Sequence, residues 1–363
     1  MSKINITIRP FNLKLKHPFG ISRGTTDQIK NILIKLEFDD VIAYGESAPS
    51  RYYGEDQSTV TEFLQAFKKH KSLDEYLTNL SCLKDDLDDF SKSLSGNVSN
   101  SAKAGLETAF WDLIGRINNK PLYQFFFKED PFFKNGNGFK SLQPTSFTIG
   151  LDNAWVMESK VKEAINDGYR ILKVKLGKGF DEDLHILKTV YNACKESSTK
   201  LRVDANGGWD LEVTKRMLDV LPDFNVEILE QPLPRGQLSL LSKITSLSSV
   251  QIFVDEDCVF LNDIELLAGK VHGVNIKLMK SGSIMEVYKM INLAKSYNLK
   301  VMLGCMIESS CGISASVHLS PLADFIDLDG HLLLKEDPFS GLLIEDNRII
   351  PSSEGGLGVS FLP

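Results

Sequence analysis

The stretch Arg202-Val203-Asp204-Ala205-Asn206 decides the fold, because its acid follows a short apolar run typical of a buried strand. The same pattern occurs twice more, where Glu230 follows Val226-Glu227-Ile228-Leu229 and Asp255 follows Ile252-Phe253-Val254. Successive acids are about 25 residues apart, which is the length of one strand, one loop and one crossover helix. We therefore predict consecutive parallel strands whose carboxyl ends bring the three carboxylates to one mouth.

Lysines stand at the ends of the runs on either side of these acids. Lys173-Val174-Lys175 precedes the first acid, and both lysines face the same way because side chains alternate along a strand. On the other side, Gly273-Val274-Asn275-Ile276 is followed by Lys277, with Lys280 as a competing choice. We prefer Lys277, because it ends the β-branched run whereas Lys280 lies in the following loop. In a closed barrel, the first and last lysines are expected on opposite sides of the carboxylates.

From Thr145 onward the sequence alternates between strand and helix patterns, which indicates an α/β fold with a (β/α)8-type barrel. The eighth strand is not followed by an obvious helix, so the barrel is expected to be modified in its last unit. The eight predicted strands are Ser146–Ile149, Ile171–Lys175, Leu201–Val203, Val226–Leu229, Ile252–Val254, Val274–Lys277, Lys300–Leu303 and Phe325–Asp327.

The sequence before the barrel predicts an α+β unit. Alternating runs at Ile4–Ile8, Leu13–Leu15 and Ile29–Phe38 indicate half-buried antiparallel strands, with polar loops near 16–25 and 45–55. A helical period then runs from Ser58 to about Gly96, and Ser99 is an N-cap for a helix that ends near Ile117.

A loop rich in Phe, Gly and Asn, from about Tyr123 to Gly138, separates this unit from the barrel. We predict an α+β capping domain at 1–125, the barrel at 126–340 and a C-terminal segment at 341–363. The last segment alternates again, so we expect it to rejoin the capping domain.

Composition narrows the classes of partner. A net charge of −7 argues against nucleic acid or an anionic membrane as the main partner. The N-terminus has no uninterrupted apolar core of a signal peptide, and no run approaches the roughly 20 apolar residues of a spanning helix. The five cysteines are odd in number and include no Cys-x-x-Cys pair, so we expect reduced thiols in a cytoplasmic protein.

Three monodentate carboxylates at one mouth suit Mg²⁺ or Mn²⁺, with coordination places left for substrate oxygens. Zinc is disfavoured, because no His or Cys stands at the matching strand ends. Any single acid at a strand end could instead be a turn residue, but three on consecutive strands favour the metal. A lysine packed beside a cation and a second ammonium group is expected to favour its neutral form, which a general base needs.

These parts together predict a reaction. A metal that binds a substrate carboxylate makes the proton on the adjacent carbon removable, because it stabilises the enediolate that forms. Lys175 and Lys277 can remove and return that proton from opposite faces. The product would then be an epimer.

The residues resemble the enolase superfamily, and within it the muconate-lactonizing-enzyme subgroup, over essentially the whole chain. The matching motifs are Lys173-Val174-Lys175, Asp204-Ala205-Asn206, Glu230-Gln231-Pro232, Asp255-Glu256 and Lys277. The resemblance implies that Asp204, Glu230 and Asp255 bind Mg²⁺, that Lys175 and Lys277 are the acid/base pair, and that Lys173 assists electrostatically. The chain departs from the subgroup at Asp257 and Ser283, neither of which has an implied role.

Two further motifs are similar to those of the dipeptide epimerases. The segment Gly304–Ser309, which includes Met306, follows the seventh strand, and Asp327-Leu328-Asp329-Gly330 follows the eighth. The resemblance implies that Asp327 and Asp329 hold the free ammonium of a dipeptide. It also implies that Arg23 receives the γ-carboxylate of L-Ala-Glu. We expect Tyr53, next to Tyr52 in the second loop, to wall the pocket, with packing as the alternative, and Met306 to lie beside the substrate.

Three functions stay open at this point. The first is epimerisation of a dipeptide, L-Ala-D/L-Glu, by a homo-oligomer of the kind common in the subgroup. The second is o-succinylbenzoate synthase or N-succinylamino acid racemase chemistry, which the Asp-x-Asp motif disfavours because those substrates offer no free ammonium. The third is a barrel that binds a metal and a ligand without turnover, which has no need of two basic residues.

Overall fold

The computed structural model describes residues 3–94, 99–127 and 142–362. All eight predicted barrel strands form, and they lie side by side in sequence order as a parallel sheet. They are β4 Phe147–Ile149, β5 Ile171–Lys175, β6 Lys200–Asp204, β7 Val226–Glu230, β8 Gln251–Val254, β9 Gly273–Lys277, β10 Lys300–Gly304 and β11 Phe325–Asp327. The prediction of a barrel is confirmed.

The first and last strands meet at a limited contact, which we call the seam between β4 and β11. Within the described residues their pairing is a single bridge between Thr145 and Ile326, with the backbone N–H of Ser146 donating to the Ile326 carbonyl at 3.1 Å. The barrel is therefore closed at one end of the seam, and its last unit is modified as predicted, because a 3₁₀ turn at Gly330–Leu333 follows β11.

Helices cover the outside of the barrel, and each turns an apolar stripe towards the strands. In Phe180–Cys194, for example, Ile186, Leu187 and Val190 are buried at helical spacing. The helices are α5 Ala154–Asn166, α6 Phe180–Cys194, α7 Leu211–Val220, α8 Leu238–Leu247, α9 Leu261–Leu267, α10 Leu278–Ser281, α11 Ile284–Ser296 and α12 Ser310–Val317.

The N-terminal sheet differs from the prediction in its first strand. It consists of β1 Asn5–Ile21, β2 Gly24–Phe38 and β3 Val41–Ser47, in the order β1-β2-β3. The predicted loop at 16–25 is instead the end of a long β1–β2 hairpin, and the loop at 45–55 begins only after Ser47. Pro10 and Pro18 do not break β1, because it is an edge strand and needs no second ladder.

The tip of this hairpin rests on the barrel. The Leu151 N–H, just after β4, donates to the Gly20 carbonyl at 2.7 Å. A Cβ at Gly20 would lie 2.1 Å from the Leu151 carbonyl oxygen, so this close approach requires glycine. The contact places Phe19, Ile21 and Arg23 over the carboxyl ends of the barrel strands.

The helical part of the N-terminal half is broken where a single period was predicted. The helices are α1 Gln57–His70, α2 Ser81–Ser93, α3 Asn100–Ile117 and α4 Tyr123–Phe126. The break falls at Lys71, which is extended and ends α1, and a 3₁₀ turn at Leu73–Leu77 follows it. The predicted cap of α3 is confirmed, since Ser99 Oγ accepts from the Ala102 N–H. Gly96 and most of the predicted loop at 123–138 lie outside the described residues.

The C-terminal segment packs against the N-terminal half. It forms the pairs β12 Phe339–Ser340 with β15 Ser360–Phe361, and β13 Leu343–Glu345 with β14 Arg348–Ile350. The Leu357 N–H donates to Asp112 Oδ1 at 2.8 Å, and Phe361 stacks on Tyr44 with ring centroids 5.7 Å apart. The exact domain limits stay a prediction.

Glu46, in β3, joins the N-terminal sheet to the barrel. Its fully buried carboxylate accepts from the Ser309 and Gly312 N–H groups at the start of α12, at 3.1 and 3.2 Å, and from Asn31 Nδ2 at 2.7 Å. A negative charge at a helix N-terminus is favourable, so this contact fixes the barrel loop after β10 against the sheet.

In the parts of the chain that the structure describes, no helix combines the length and the apolar character needed to cross a bilayer.

Candidate active site

The three predicted metal ligands lie on neighbouring strands. Asp204 ends β6 and Glu230 ends β7, and the two are register partners, while Asp255 directly follows β8. All three carboxylates are buried. The barrel therefore brings them together at its carboxyl-terminal mouth, where the active sites of such barrels lie.

The three lysines named from the sequence surround these carboxylates. Lys175 Nζ lies 2.6 Å from Asp204 Oδ2, and Lys277 Nζ lies 2.8 Å from Asp255 Oδ2. Lys173 is deeper, with its Nζ 2.7 Å from Glu230 Oε2 and 3.3 Å from Asp204 Oδ2. Lys175 and Lys277 thus stand at the two ends of the carboxylate row, and Lys173 lies within it.

Lys280 has a different environment from Lys277. Its buried ammonium group donates to the carbonyls of Asp255, Cys258 and Asn275 at 2.6, 2.9 and 2.9 Å and to the Asp255 carboxylate. Lys277 lines the open pocket, whereas Lys280 does not line it. These contacts support the preference for Lys277 and make Lys280 a residue that fixes the loop around Asp255.

Further polar residues orient the carboxylates, and sequence reasoning missed them. The Asn206 N–H donates to Asp204 Oδ1 at 2.9 Å, and Asn275 Nδ2 donates to Glu230 Oε1 at 2.8 Å. Each carboxylate thus keeps its second oxygen turned towards Lys173. A polar side chain in the otherwise apolar run Val274–Ile276 was the available signal, since a buried amide needs a partner.

The charges of the cluster shift its pKa values in opposite directions. Burial alone would raise the pKa of Asp204, but Lys175 and Lys173 outweigh it and hold that pKa well below its usual range. Burial and the neighbouring Asp204 charge raise the pKa of Glu230 to about 7.

The expectation that a lysine beside a bound cation favours its neutral form stays a prediction. The charges of the protein groups by themselves act in the opposite direction on two of the lysines. Burial would lower the pKa of Lys277, but the Asp255 carboxylate outweighs it and the pKa is raised. Lys173 behaves in the same way, because Asp327, Glu230 and Asp204 surround it and raise its pKa. The sequence indicated the neighbouring ammonium groups, but it did not show how close each lysine comes to a carboxylate.

An open pocket of about 160 Å³ lies over the row. Lys175 and Lys277 both line it, and so do all five residues predicted to bind the substrate, which are Arg23, Tyr53, Met306, Asp327 and Asp329. At one side of the pocket, Ser146 Oγ donates to Asp327 Oδ1 and the Thr148 N–H donates to Asp329 Oδ2, each at 2.5 Å. Strand β4 and the residue that precedes it therefore orient Asp327, which ends β11, and Asp329, which lies two residues beyond it.

Arg23 closes the pocket above Asp255, and it already has partners. Its Nη1 donates to the Asn206 carbonyl at 2.8 Å and its Nη2 to Glu256 Oε1 at 3.0 Å. Its guanidinium group lies 4.4 Å above the Tyr52 ring. Burial, followed by the charges of Asp255 and Glu256, raises the pKa of Tyr53, so its phenol stays protonated.

The row of carboxylates offers oxygen donors of the kind that a divalent cation needs. Within the described ranges, no three Asp, Glu, His or Cys side chains already form a ready-made cage, because lysine ammonium groups lie between the carboxylates. Lys173 shows, however, that one positive charge already bridges Asp204 and Glu230. Buried carboxylate oxygens with no competing His or Cys are the donors that Mg²⁺ prefers, so the residues fit this ion.

Two features define the class of enolase-like enzymes. One is a parallel barrel that carries a row of carboxylates between two lysines, and the other is a separate α+β unit that covers the barrel. Residues 3–126 match the mandelate racemase/muconate lactonizing enzyme N-terminal domain, and residues 156–363 match the enolase C-terminal domain-like family. The chain belongs to the mandelate racemase/muconate lactonizing enzyme family of the enolase superfamily.

The relatives of this chain include dipeptide epimerases. The chain is 33% identical to the L-Ala-D/L-Glu epimerase of Bacteroides thetaiotaomicron, over 98% of this chain and 88% of that protein. It is 34% identical to the hydrophobic dipeptide epimerase of Roseobacter litoralis, over 95% and 96% of the two chains.

Solved structures give the same result. The dipeptide epimerase of Cytophaga hutchinsonii, complexed with Mg and D-Ala-L-Val, superposes with a TM-score of 0.88 at 26% identity, over 99% of this chain and 96% of that one. The dipeptide epimerase of Enterococcus faecalis, complexed with Mg and L-Leu-L-Tyr, gives 0.87 at 29% identity, over 99% of both chains. The predicted family, fold and class of isomerase are confirmed.

Proposed function

We propose that this chain is a magnesium-dependent dipeptide epimerase that inverts the α-carbon of the second residue. The observation that carries the proposal is the position of Lys175 and Lys277, which stand at opposite ends of the carboxylate row and both open into one pocket. An α-carbon held between them would present one face to each lysine. That is the arrangement which removal of a proton from one side and its return from the other require.

Asp204, Glu230 and Asp255 are the residues that would hold the metal. When bound there, Mg²⁺ or Mn²⁺ would bind the substrate carboxylate and stabilise the negative charge that develops as the α-proton leaves. Asn206 and Asn275 keep one oxygen of two of these carboxylates occupied, so the other oxygen stays directed at the cluster. Lys173 is more deeply buried than Lys175 and Lys277, and its ammonium group is held by Asp204, Glu230 and Asp327, so it acts as a fixed positive charge beside the row.

Asp327 and Asp329 are suited to the free ammonium of the dipeptide. Both carboxylates face the pocket, and both are held by β4 rather than by each other. Lys173 Nζ lies 2.8 Å from Asp327 Oδ2, which leaves Asp329 as the aspartate without a lysine at that distance among the described residues. Asp329 therefore supplies the main attraction for the ammonium group.

The pH dependence of substrate capture should report on Asp329. Burial, with the charge of Asp327, raises the pKa of Asp329 to about 7, so the carboxyl is mostly neutral at lower pH and cannot pair with an ammonium ion. We expect kcat/KM for a dipeptide to rise about tenfold from about pH 6 to pH 8, and kcat to change less because bound ammonium keeps Asp329 ionised. In the Asp329→Asn variant, kcat/KM should not rise between these pH values. A rise of the same size in the variant would contradict this role.

Arg23 governs the acceptance of an acidic second residue. Two of the five N–H groups of its guanidinium are used by Asn206 and Glu256, so three remain for a substrate carboxylate. Arg23→Ala would remove these donors and leave the buried Glu256 charge unpaired, which repels a carboxylate. We expect kcat/KM for L-Ala-L-Glu to fall about 10- to 100-fold and that for L-Ala-L-Leu to change little.

The control for this variant is Arg216→Ala, which removes an arginine stacked at 3.6 Å over Phe180 outside the pocket. This variant should leave kcat/KM unchanged for both L-Ala-L-Glu and L-Ala-L-Leu. Equal losses for L-Ala-L-Glu and L-Ala-L-Leu in Arg23→Ala would show that Arg23 supports the pocket without reading the side chain.

The proposed function is tested by proton NMR in D₂O with Mg²⁺ and L-Ala-L-Glu. The glutamate α-proton signal should disappear as L-Ala-D-Glu accumulates. If this dipeptide does not exchange, other second residues are compared, and exchange of none of them would refute the assignment.

The two alternatives remain less well supported. Two buried aspartates at the ammonium end disfavour the N-acylated or ammonium-free substrates of the succinyl-type reactions. A barrel that only binds a ligand would show no α-proton exchange in the same NMR experiment. A cytoplasmic location and a homo-oligomeric assembly are part of the proposal.

A further inference from the structure

A second cavity lies beside the active-site pocket, at the seam between β4 and β11. It measures about 80 Å³ and shares Phe19, Thr148 and Leu333 with the larger pocket. Its remaining apolar lining includes Phe147, Tyr169 and Leu332. We call it the seam cavity.

The seam cavity lies between β4, helix α5 and the turn Gly330–Leu333 that follows β11. Strand β1 covers the opening, and it is held there by Lys160 Nζ, which donates to the Pro18 carbonyl at 3.3 Å. Below it, Phe147 packs on Tyr169 with ring centroids 4.7 Å apart. Contacts between its own walls thus hold the cavity in shape.

We propose that the seam cavity binds the side chain of the first residue of the dipeptide, and that this residue is a branched aliphatic one or methionine. The inference rests on the proposed function. Thr148 connects the two spaces, because it lines both of them and its N–H donates to Asp329 Oδ2 at 2.5 Å. An ammonium group held by Asp329 places the first α-carbon at the boundary between the cavities.

From that boundary the peptide group must turn towards the lysines, since the second α-carbon lies between Lys175 and Lys277. The first side chain, which branches from the same carbon, then has the seam cavity as its free space. Phe19 and Leu333 form the walls at the junction.

Size and polarity define the class of side chain. Roughly 10–15 Å³ of such space holds one water-sized group, so the cavity accommodates about five to eight. Leucine, isoleucine and methionine side chains each have four non-hydrogen atoms, whereas the phenylalanine side chain has seven. Four of the five charged residues that line the cavity are exposed, and two of these, His17 and Glu163, lie 3.5 Å apart as a pair. The fifth, Lys160, is half-buried and directs its ammonium group to the Pro18 carbonyl. The interior therefore favours an apolar side chain.

The first test compares L-Ala-L-Glu, L-Leu-L-Glu and L-Phe-L-Glu by α-proton exchange of the second residue. A second series, L-Ala-L-Leu, L-Leu-L-Leu and L-Phe-L-Leu, has no acidic second residue. The comparison of first residues in that series therefore does not depend on Arg23. We expect kcat/KM for the leucyl dipeptide to exceed that of the alanyl dipeptide about tenfold or more, which is the effect of filling an apolar pocket.

Leu332→Trp tests the location, because Leu332 lines the seam cavity and not the active-site pocket. The larger side chain should remove the preference for the leucyl dipeptide, so that the ratio of kcat/KM for the leucyl dipeptide to that for the alanyl dipeptide falls to about one. Leu322→Trp is the control, since Leu322 is also a partly buried leucine on the same core but lines neither cavity. If Leu332→Trp does not fold, Leu332→Ala is measured in its place. This variant should raise the ratio of kcat/KM for the phenylalanyl dipeptide to that for the leucyl dipeptide about fivefold.

Equal kcat/KM for the alanyl and leucyl dipeptides in the wild type would overturn the inference while leaving the proposed function intact. So would a leucyl preference that persists in Leu332→Trp. Absence of exchange with every dipeptide would overturn the proposed function itself, and this inference with it.

Discussion

Replacing Lys277 with alanine is expected to stop inversion of the substrate while proton exchange from the opposite face continues. Lys175 and Lys277 contact different carboxylates, Asp204 and Asp255, which stand on either side of Glu230 in the row. Neither lysine can therefore replace the other. With one of them absent, the remaining lysine can still remove the proton from its own face and return deuterium to the same face. Inversion should fall by about 10²–10⁴-fold, which is the usual contribution of a general acid or base.

The measurement uses the L,L and L,D epimers separately in D₂O. Lys277→Ala and Lys175→Ala should each exchange only one epimer without inverting it, and the two variants should differ in which epimer they exchange. Lys200→Ala is the control, because Lys200 lies at the opposite end of β6 and pairs with Glu227 at 3.2 Å. Two variants that exchange the same epimer would contradict opposite faces.

The second large effect is expected for Glu230→Gln. The amide keeps the size of the side chain but removes one of the three charges that would hold Mg²⁺. Loss of metal support for the developing negative charge corresponds to several kcal/mol, so we expect activity to fall about 10³-fold or more.

A readout independent of activity is thermal unfolding with and without Mg²⁺. An ion that binds the folded protein at about 100 times its dissociation constant stabilises it by about 2.7 kcal/mol, which raises Tm by several degrees. This rise should be present in the wild type and absent in Glu230→Gln. Glu227→Gln is the matched control, because Glu227 lies in the same strand and contacts Arg202 and Lys200 at the far end. If Mg²⁺ raised the Tm of Glu230→Gln as much as it raises that of the wild type, Glu230 would be excluded as a ligand.

The barrel was predictable from sequence because six of its eight strands are short runs that end in a charged residue or directly before one. The row from Lys175 to Lys277 needs only strand order and side-chain alternation, and both are local properties of the chain. Strand β1 was predicted wrongly as two strands and a loop, because Pro10 and Pro18 break most strands. Its edge position, which makes them acceptable, is a property of the assembled sheet.

The parts of the site that escaped prediction depend on contacts between distant residues. Arg23 and Glu256 are 233 positions apart in the chain, and no sequence pattern indicates that they form an ion pair. The surroundings of Lys173 include Asp327, which is 154 positions away and belongs to the last barrel strand. The seam cavity likewise depends on how β1, β4, α5 and the turn after β11 pack together, which the sequence pattern does not encode.

The buried carboxylate of Glu46 has a consequence for how such proteins can be recombined. Its partners, Ser309 and Gly312, belong to the barrel, so neither half carries a complete set of hydrogen bonds. A chimaera that joins this N-terminal sheet to a barrel from another protein would bury an unpaired charge unless the recipient supplied equivalent donors. New specificities are therefore easier to obtain by exchanging the hairpin tip around Arg23 than by exchanging the whole N-terminal unit.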